Sequence, residues 1–187
     1  MFEKTKTELP GVLILKPRIF HDSRGFFAET YHQQKFSELG INVNFVQDNH
    51  SRSVRGTLRG LHYQLQRPQA KVCRVIQGEV FDVAVDIRRG SPTFGKWVGA
   101  TLSAEEMNQI FIPAGFAHGF VVLSESAEFL YKCSDFYDPT SEDGIIWNDP
   151  DLGIDWRTAQ PLLSGKDTKY PNLRDILPNR LPIYTPS

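Results

Sequence analysis

Residues 79–87 read Glu79-Val80-Phe81-Asp82-Val83-Ala84-Val85-Asp86-Ile87, and this stretch decides the fold. Phe81, Val83, Val85 and Ile87 fall on every second position, with Asp82, Ala84 and Asp86 between them. Strand side chains alternate between two faces, so a period of two is the signature of a β-strand. Gln77-Gly78-Glu79 separates this run from the strand-like residues 71–76, which predicts a hairpin between the two. Further short strands are expected at 95–102, 109–112, 118–123 and 128–133. Pro113-Ala114-Gly115 and Ser124-Glu125-Ser126 serve as turns between them. Upstream, an apolar run spans 11–16, and Asp22-Ser23-Arg24-Gly25 turns the chain into a strand at 26–31. One modest helix is predicted at 32–39, with Phe36 and Leu39 on one face and Gly40 as its stop signal. Ser103-x-x-Glu106 has the spacing of a cap for a helical turn. The tail after Trp156 is rich in Pro and polar residues and is expected to wrap the surface. Many short strands without crossover helices imply an all-β sandwich or closed barrel and exclude a βαβ fold. No internal repeat or low-complexity linker divides the chain.

Composition agrees with a globular protein. The 187 residues are 40% hydrophobic and 23% charged, which excludes wholesale disorder. Lys plus Arg number 21 against 22 Asp plus Glu, a formal charge of −1. That balance argues against a nucleic-acid-coating protein and against a polybasic membrane binder. No apolar run reaches the ~18 residues of a membrane span. The opening MFEKTKTELPG lacks the apolar core of a secretory signal. Cys73 and Cys133 are the only cysteines, form no CxxC pair and sit in strand-like runs. Two buried free thiols in a reducing cytoplasm are therefore expected. Asn49-His50-Ser51 matches a glycosylation pattern that such a location leaves unused.

Five histidines, His21, His32, His50, His62 and His118, form no HxH, HxxxH or HExxH pattern, and no bound metal is expected. Arg59-Gly60-Leu61-His62-Tyr63-Gln64 sets a cation beside a proton-transfer group. Strict alternation puts Arg59 and His62 on opposite faces, and a bulge at Gly60 would reunite them. Lys71, Cys73 and Val75 share one strand face, and so do Phe129, Tyr131 and Cys133. If those faces line a barrel, Lys71 and Tyr131 become polar heads in an apolar hollow. Asp167, in Ser164-Gly165-Lys166-Asp167, supplies a carboxylate that can fix a histidine tautomer. Each residue also has a plainer reading on its own: a core histidine, a core tyrosine, a snorkelling lysine, a turn aspartate. No GxGxxG or P-loop offers a phosphate cradle, which leaves Arg24, Arg59 and Lys166 as cationic candidates.

Seven signposts then occur in order. They are Asp22-x-Arg24-Gly25-Phe26-Phe27, Gln47-x-Asn49-His50-Ser51, the 59–64 hexapeptide, and Gly78-x-Val80-x-Asp82-Val83-x-Val85-Asp86. Ser91-Pro92-Thr93-Phe94-Gly95, Ile112-Pro113-x-Gly115-Phe116-Ala117-His118-Gly119-Phe120 and Trp147-Asn148-Asp149-Pro150 complete the set. Through them nearly the whole chain resembles the dTDP-4-dehydrorhamnose 3,5-epimerases, the dTDP-sugar epimerases of the cupin superfamily. The resemblance implies a cupin-type jelly-roll barrel over residues 1–187, with terminal extensions packed on it. It also implies a homodimer, no cofactor or metal, and a dTDP-linked 4-keto-6-deoxyhexose substrate on the way to rhamnose for surface polysaccharide. By the same resemblance His62 is the base, Asp167 its partner and Tyr131 the proton donor. Lys71 and Arg59 lie beside the sugar and diphosphate. Arg24, Glu29, Gln47, Asn49, His118, Glu142 and Lys166 contact the nucleotide sugar, and Tyr137 stacks on thymine.

The chemistry expected of such a site is proton abstraction beside a ketone. The C4 carbonyl lies between C3 and C5, so one stabiliser of its oxygen serves both epimerisations. Three other functions compete: a mono-epimerase or 3,4-ketoisomerase on the same barrel, a non-catalytic cupin-like binding module, and a metal-dependent cupin oxygenase or isomerase.

Overall fold

The structure is a computed structural model, and it describes residues 2–186. The strands, in chain order, are β1 Phe2–Lys6, β2 Leu13–Pro17, β3 Ile19–Asp22, β4 Gly25–Ala28, β5 Gln47–Val54, β6 Leu58–Gln64, β7 Lys71–Gln77, β8 Glu79–Asp86, β9 Trp97–Ser103, β10 Gln109–Ile112, β11 Phe116–Val122, β12 Ser126–Cys133 and β13 Glu142–Gly144. Among the described residues a single α-helix, α1 Gln33–Glu38, is accompanied by two 3-10 turns at Leu173–Asp175 and Pro178–Arg180. One sheet has the order β1-β2-β10-β7-β12-β5 and the other β13-β6-β11-β8-β9, with β3-β4 as a separate hairpin. All the strand pairs are antiparallel. The two large sheets face one another across a shared core of Cys73, Val75, Val80, Ala84, Phe120 and Phe129, in the jelly-roll arrangement expected. No helix among the described residues is long and apolar enough to cross a membrane.

The predicted strands are present, but one connection and the extent of one strand differ from expectation. β7 and β8 do not form a hairpin: β7 pairs with β10 and β12, whereas β8 pairs with β11 and β9. Gln77-Gly78-Glu79 carries the chain from one sheet to the other. The corner is tight, because a Cβ on Gly78 (φ +77°) would sit 2.1 Å from the Ser126 carbonyl oxygen. Ser124 Oγ accepts from the Glu79 amide at 2.8 Å and donates to the Ser126 carbonyl at 2.7 Å, which ties this corner to the neighbouring β11–β12 crossover. The second difference concerns 26–31, where strand pairing stops at Ala28. Around Ser103, the chain makes a turn closed by the Glu106 amide on Ser103 Oγ at 3.0 Å.

β8 is buried on both faces. Val80 and Ala84 point into the barrel. Phe81, Val83, Val85 and Ile87 point outward, into a second apolar layer built with Trp156, Leu173, Ile176 and Leu181 of the tail. The tail is thus a cover for the apolar face of a sheet as well as a surface wrap. A third cluster, with Phe2, Leu15, Phe36, Ile41 and Phe111, seats the helix on the outside of the other sheet near the N-terminus. Asp86 sits fully buried at the end of β8 and accepts from Arg88, Ser91 and Thr93, which folds the loop that follows.

Candidate active site

The site begins with an irregularity in β6. Against β11, His62 aligns with His118 and Arg59 with Phe120, so β6 spends three steps where β11 spends two. The extra residue lies at Gly60-Leu61. It turns Arg59 and His62, which simple alternation would separate, into the same hollow. Only glycine fits there: Gly60 has φ +128°, and a Cβ would lie 2.4 Å from the Gly119 Cα. Gly119 leaves matching room opposite, its own Cβ position being 2.8 Å from the Arg59 carbonyl.

A cavity of about 590 Å³ opens between the sheets at this end of the barrel. Gln47 and Asn49 reach it from β5, Arg59 and His62 from β6, and Lys71 from β7. His118 comes from β11 and Tyr131 from β12, while Tyr137, Glu142, Lys166 and Asp167 come from the connecting segments and β13. Eleven of the thirteen predicted site residues therefore line one hollow. Arg24 and Glu29 do not. Arg24 lies at the exposed tip of the β3–β4 hairpin, paired with Asp22 at 2.6 Å, and Glu29 is paired with Lys35 at 2.6 Å.

His62 Nε2 meets Asp167 Oδ1 at 2.5 Å, and Asp167 is only 2% exposed. Burial pushes the Asp167 carboxyl up, but hydrogen bonds from His62 and Ser164 and the nearby charges of His62 and Lys166 outweigh it. The group is held below the usual carboxylate range. An ionised Asp167 can only accept, so Nε2 carries the ring proton and Nδ1 is left as the basic nitrogen. The edge of Tyr170 packs on the imidazole, with ring centroids 5.7 Å apart.

Tyr131 faces the same cavity. Burial first, then the neighbouring thiols, pushes its hydroxyl up to about 12, so it keeps its proton at neutral pH. Lys71 Nζ lies 5.8 Å from the centre of the Tyr131 ring. Arg59 Nε donates to Ser53 Oγ at 3.1 Å, which aims the guanidinium along the wall. At the mouth, Glu142 accepts from Lys166 at 2.7 Å and from the half-exposed Tyr137 hydroxyl at 3.0 Å. Gln47 Oε1 accepts from the Tyr137 amide at 2.9 Å, and this fixes where the aromatic stands.

A second His–carboxylate pair lies deeper. His118 Nε2 is 2.9 Å from Asp82 Oδ2, and Asp82 is fully buried. Cys73 Sγ lies 3.9 Å from the same nitrogen, so Cys73, Asp82 and His118 have ligand atoms close enough to share an ion. Burial and the Asp82 charge push the Cys73 thiol well up, which favours the protonated form over the thiolate a metal requires. Cys133 is also a free, buried thiol, as expected.

Sequence reasoning missed three contributors. Asp82 reads as a polar position in the alternation of β8 and as a letter of its signpost, with no role at the site. Ser53 has no signal beyond the inward parity it shares with Gln47 and Asn49. Tyr170 is placed by Gly144, whose bare α-carbon leaves space for the ring where a Cβ would come within 2.5 Å.

Comparison with known proteins agrees with this geometry. The family model for dTDP-4-dehydrorhamnose 3,5-epimerase matches residues 6–175. A dTDP-4-dehydrorhamnose 3,5-epimerase of Pseudomonas aeruginosa is 62% identical over 165 residues, covering 87% of this chain and 91% of that protein. One from Salmonella typhimurium is 58% identical over 175 residues, 92% of this chain and 96% of that one. The crystal structure of the Legionella pneumophila dTDP-6-deoxy-D-glucose-3,5-epimerase in complex with dTDP-4-keto-L-rhamnose superposes with a TM-score of 0.97 at 51% identity, over 100% of both chains. With a family model spanning most of its length and relatives this close in sequence and in fold, the chain belongs to the dTDP-4-dehydrorhamnose 3,5-epimerase family.

Proposed function

We propose that this protein inverts C3 and C5 of dTDP-4-dehydro-6-deoxy-D-glucose to give dTDP-4-dehydro-L-rhamnose, with His62 as base and Tyr131 as acid. The observation that carries the reading is the His62–Asp167 dyad opening onto the same cavity as Tyr131 and Lys71. The C–H bonds at C3 and C5 are acidified by the C4 ketone. His62 Nδ1 takes the proton, and the bonding pair moves into the carbonyl to leave an enolate oxygen. Asp167 stabilises the imidazolium formed. The Lys71 ammonium donates to the enolate oxygen in a cavity where such a bond is strong. Tyr131 returns a proton to the opposite face of the ring, which inverts the centre, and both groups reset by exchange with solvent. No step passes through a metal or a cofactor.

Arg59 and Lys166 neutralise the diphosphate, and Tyr137 stacks on the thymine. Gln47, Asn49, His118 and Glu142 take up the remaining polar groups. This remote binding holds the sugar in register with the base. Arg24 and Glu29 fit the same scheme in a homodimer, where an exposed hairpin reaches a neighbouring copy's cavity. We read the described residues as one barrel with its extensions, the two ends of the expected 1–187 span lying outside them, and the protein as working in a reducing cytoplasm with neither nucleic acid nor membrane as partner.

The test is incubation with dTDP-4-keto-6-deoxyglucose in heavy water, followed by NMR of the recovered sugar. The wild type takes up deuterium at both C3 and C5. His62→Asn takes up none, and exchange surviving in that variant removes His62 from the role of base. Uptake at C3 alone would assign a mono-epimerase.

A further inference from the structure

Asp167 has two carboxylate oxygens, and only one faces His62. The other, Oδ2, accepts a hydrogen bond from Ser164 Oγ at 2.7 Å. Ser164 has one hydroxyl proton, and its oxygen is itself engaged by the Asp167 amide at 3.3 Å. The Asp167 amide also lies 3.1 Å from the Ser164 carbonyl, which closes the turn. The chain of donors therefore runs one way, from the Asp167 amide to the Ser164 oxygen and from the Ser164 hydroxyl to Oδ2. Ser-x-x-Asp is the spacing of a capping box, used here to clasp a carboxylate instead of starting a helix.

We infer that Ser164 is a positioning residue for the epimerase: its hydroxyl fixes which oxygen Asp167 presents to His62 and shares the carboxylate's charge. The inference rests on His62 being the base. Asp167 is nearly shut off from water, so Oδ2 has no generous alternative to Ser164. Without that donor the carboxylate is free to rotate, and its charge is concentrated on the bond to His62. A more concentrated charge stabilises the imidazolium before the substrate arrives, which removes the basic nitrogen. The acid limb of the kcat/KM profile then moves to higher pH. Charged neighbours act on the same dyad. Lys166 and Glu142 face it from the mouth, with the Tyr170 hydroxyl behind it. Lys71 on β7, Arg59 on β6, Tyr131 on β12 and His118 on β11 line the same cavity, and Asp82 of β8 is bonded to His118. None of them bonds to Oδ2, so removing the Ser164 hydroxyl changes one contact and leaves the remaining field in place.

The experiment compares wild type, Ser164→Ala, Ser164→Thr and His62→Asn by pH–rate profile and by deuterium uptake at C3 and C5. Ser164 is exposed at a turn, so each variant is expected to fold, which the thermal melting curve checks. Ser164→Ala loses roughly tenfold in kcat, keeps KM within about twofold, and shifts its acid limb upward. Ser164→Thr keeps the hydroxyl and follows the wild-type limb. An acid limb unmoved in Ser164→Ala overturns the inference even if kcat drops, because a purely structural role lowers rate without moving the limb. A limb moved equally in Ser164→Thr overturns it as well. Deuterium uptake persisting in His62→Asn would instead overturn the assignment of the base, which keeps the two failures apart.

Discussion

Tyr131 illustrates how burial suits a side chain to the role proposed for it. A phenol in water gives up its proton near pH ~10. Inside the barrel the phenolate loses its hydration, and the hydroxyl is pushed up to about 12. A raised value means that the proton is kept, so Tyr131 remains a competent donor throughout the neutral and mildly alkaline range. Tyr131→Phe removes that proton and little else. The expected outcome is deuterium exchange at C3 and C5 largely intact, with net inversion reduced at least tenfold. Inversion at the wild-type rate would remove Tyr131 from the donor role. Its face could be read from the sequence, and its burial followed on the condition that this face lines a barrel; the size of the effect could not. Parity along 128–133 groups Phe129, Tyr131 and Cys133, and the structure sets Phe129, Tyr131 and Cys73 in contact across β12 and β7. The His62–Asp167 bond is the opposite case. The residues are 105 positions apart, and no local pattern links them. The resemblance to a family paired them, and the fold then brings them together.

The elements show why some of the fold was legible and some was not. A period of two depends on one strand alone, so β8 could be recognised without knowledge of its neighbours. Pairing depends on partners far along the chain, and the expected β7–β8 hairpin fails for that reason: Gly78 serves a corner between sheets as readily as a hairpin turn. The tail is another such case. Its Pro and polar content conceals Trp156, Leu173, Ile176 and Leu181, which together cover the outward face of β8. Leu173 is 5% exposed, and its amide is held by Asp149 Oδ2 at 2.7 Å. Because Asp167 and Tyr170 belong to this tail, loosening the cover should also disturb the dyad. Leu173→Ala is expected to cost roughly 2–4 kcal/mol in urea unfolding and to lower kcat as well. Leu177→Ala, at a 63% exposed position of the same tail, should stay within about 0.5 kcal/mol of wild type. Equal effects of the two would mean that the tail is not a packed layer.

At the scale of the whole molecule, Arg24 and Glu29 are the residues a single chain does not explain. Both belong to the nucleotide-sugar contacts that the family resemblance implies, yet neither lines the cavity. Their segment has an unusual surface. Phe20, Phe26 and Phe27 on the β3–β4 hairpin are 49%, 63% and 68% exposed, a concentration of apolar area that a neighbouring chain would cover. A two-fold dimer exchanges the same segment in both directions, so each hairpin would complete the other copy's site. Subunit mixing tests this directly. Arg24→Glu damages the site that its hairpin serves, and His62→Asn inactivates the site of its own barrel. In a heterodimer of the two, the chain with Arg24→Glu keeps its His62 and receives an intact Arg24 from its partner, so one site is whole. Random reassortment of equal amounts leaves about one quarter of all sites whole by this symmetry. Activity measured at low substrate should therefore rise after two poorly active preparations are mixed, dissociated and reassociated. If Arg24 serves the cavity of its own chain, each site in the heterodimer carries one lesion. Mixing then recovers nothing beyond the sum of the parents, and the exchanged arrangement is wrong.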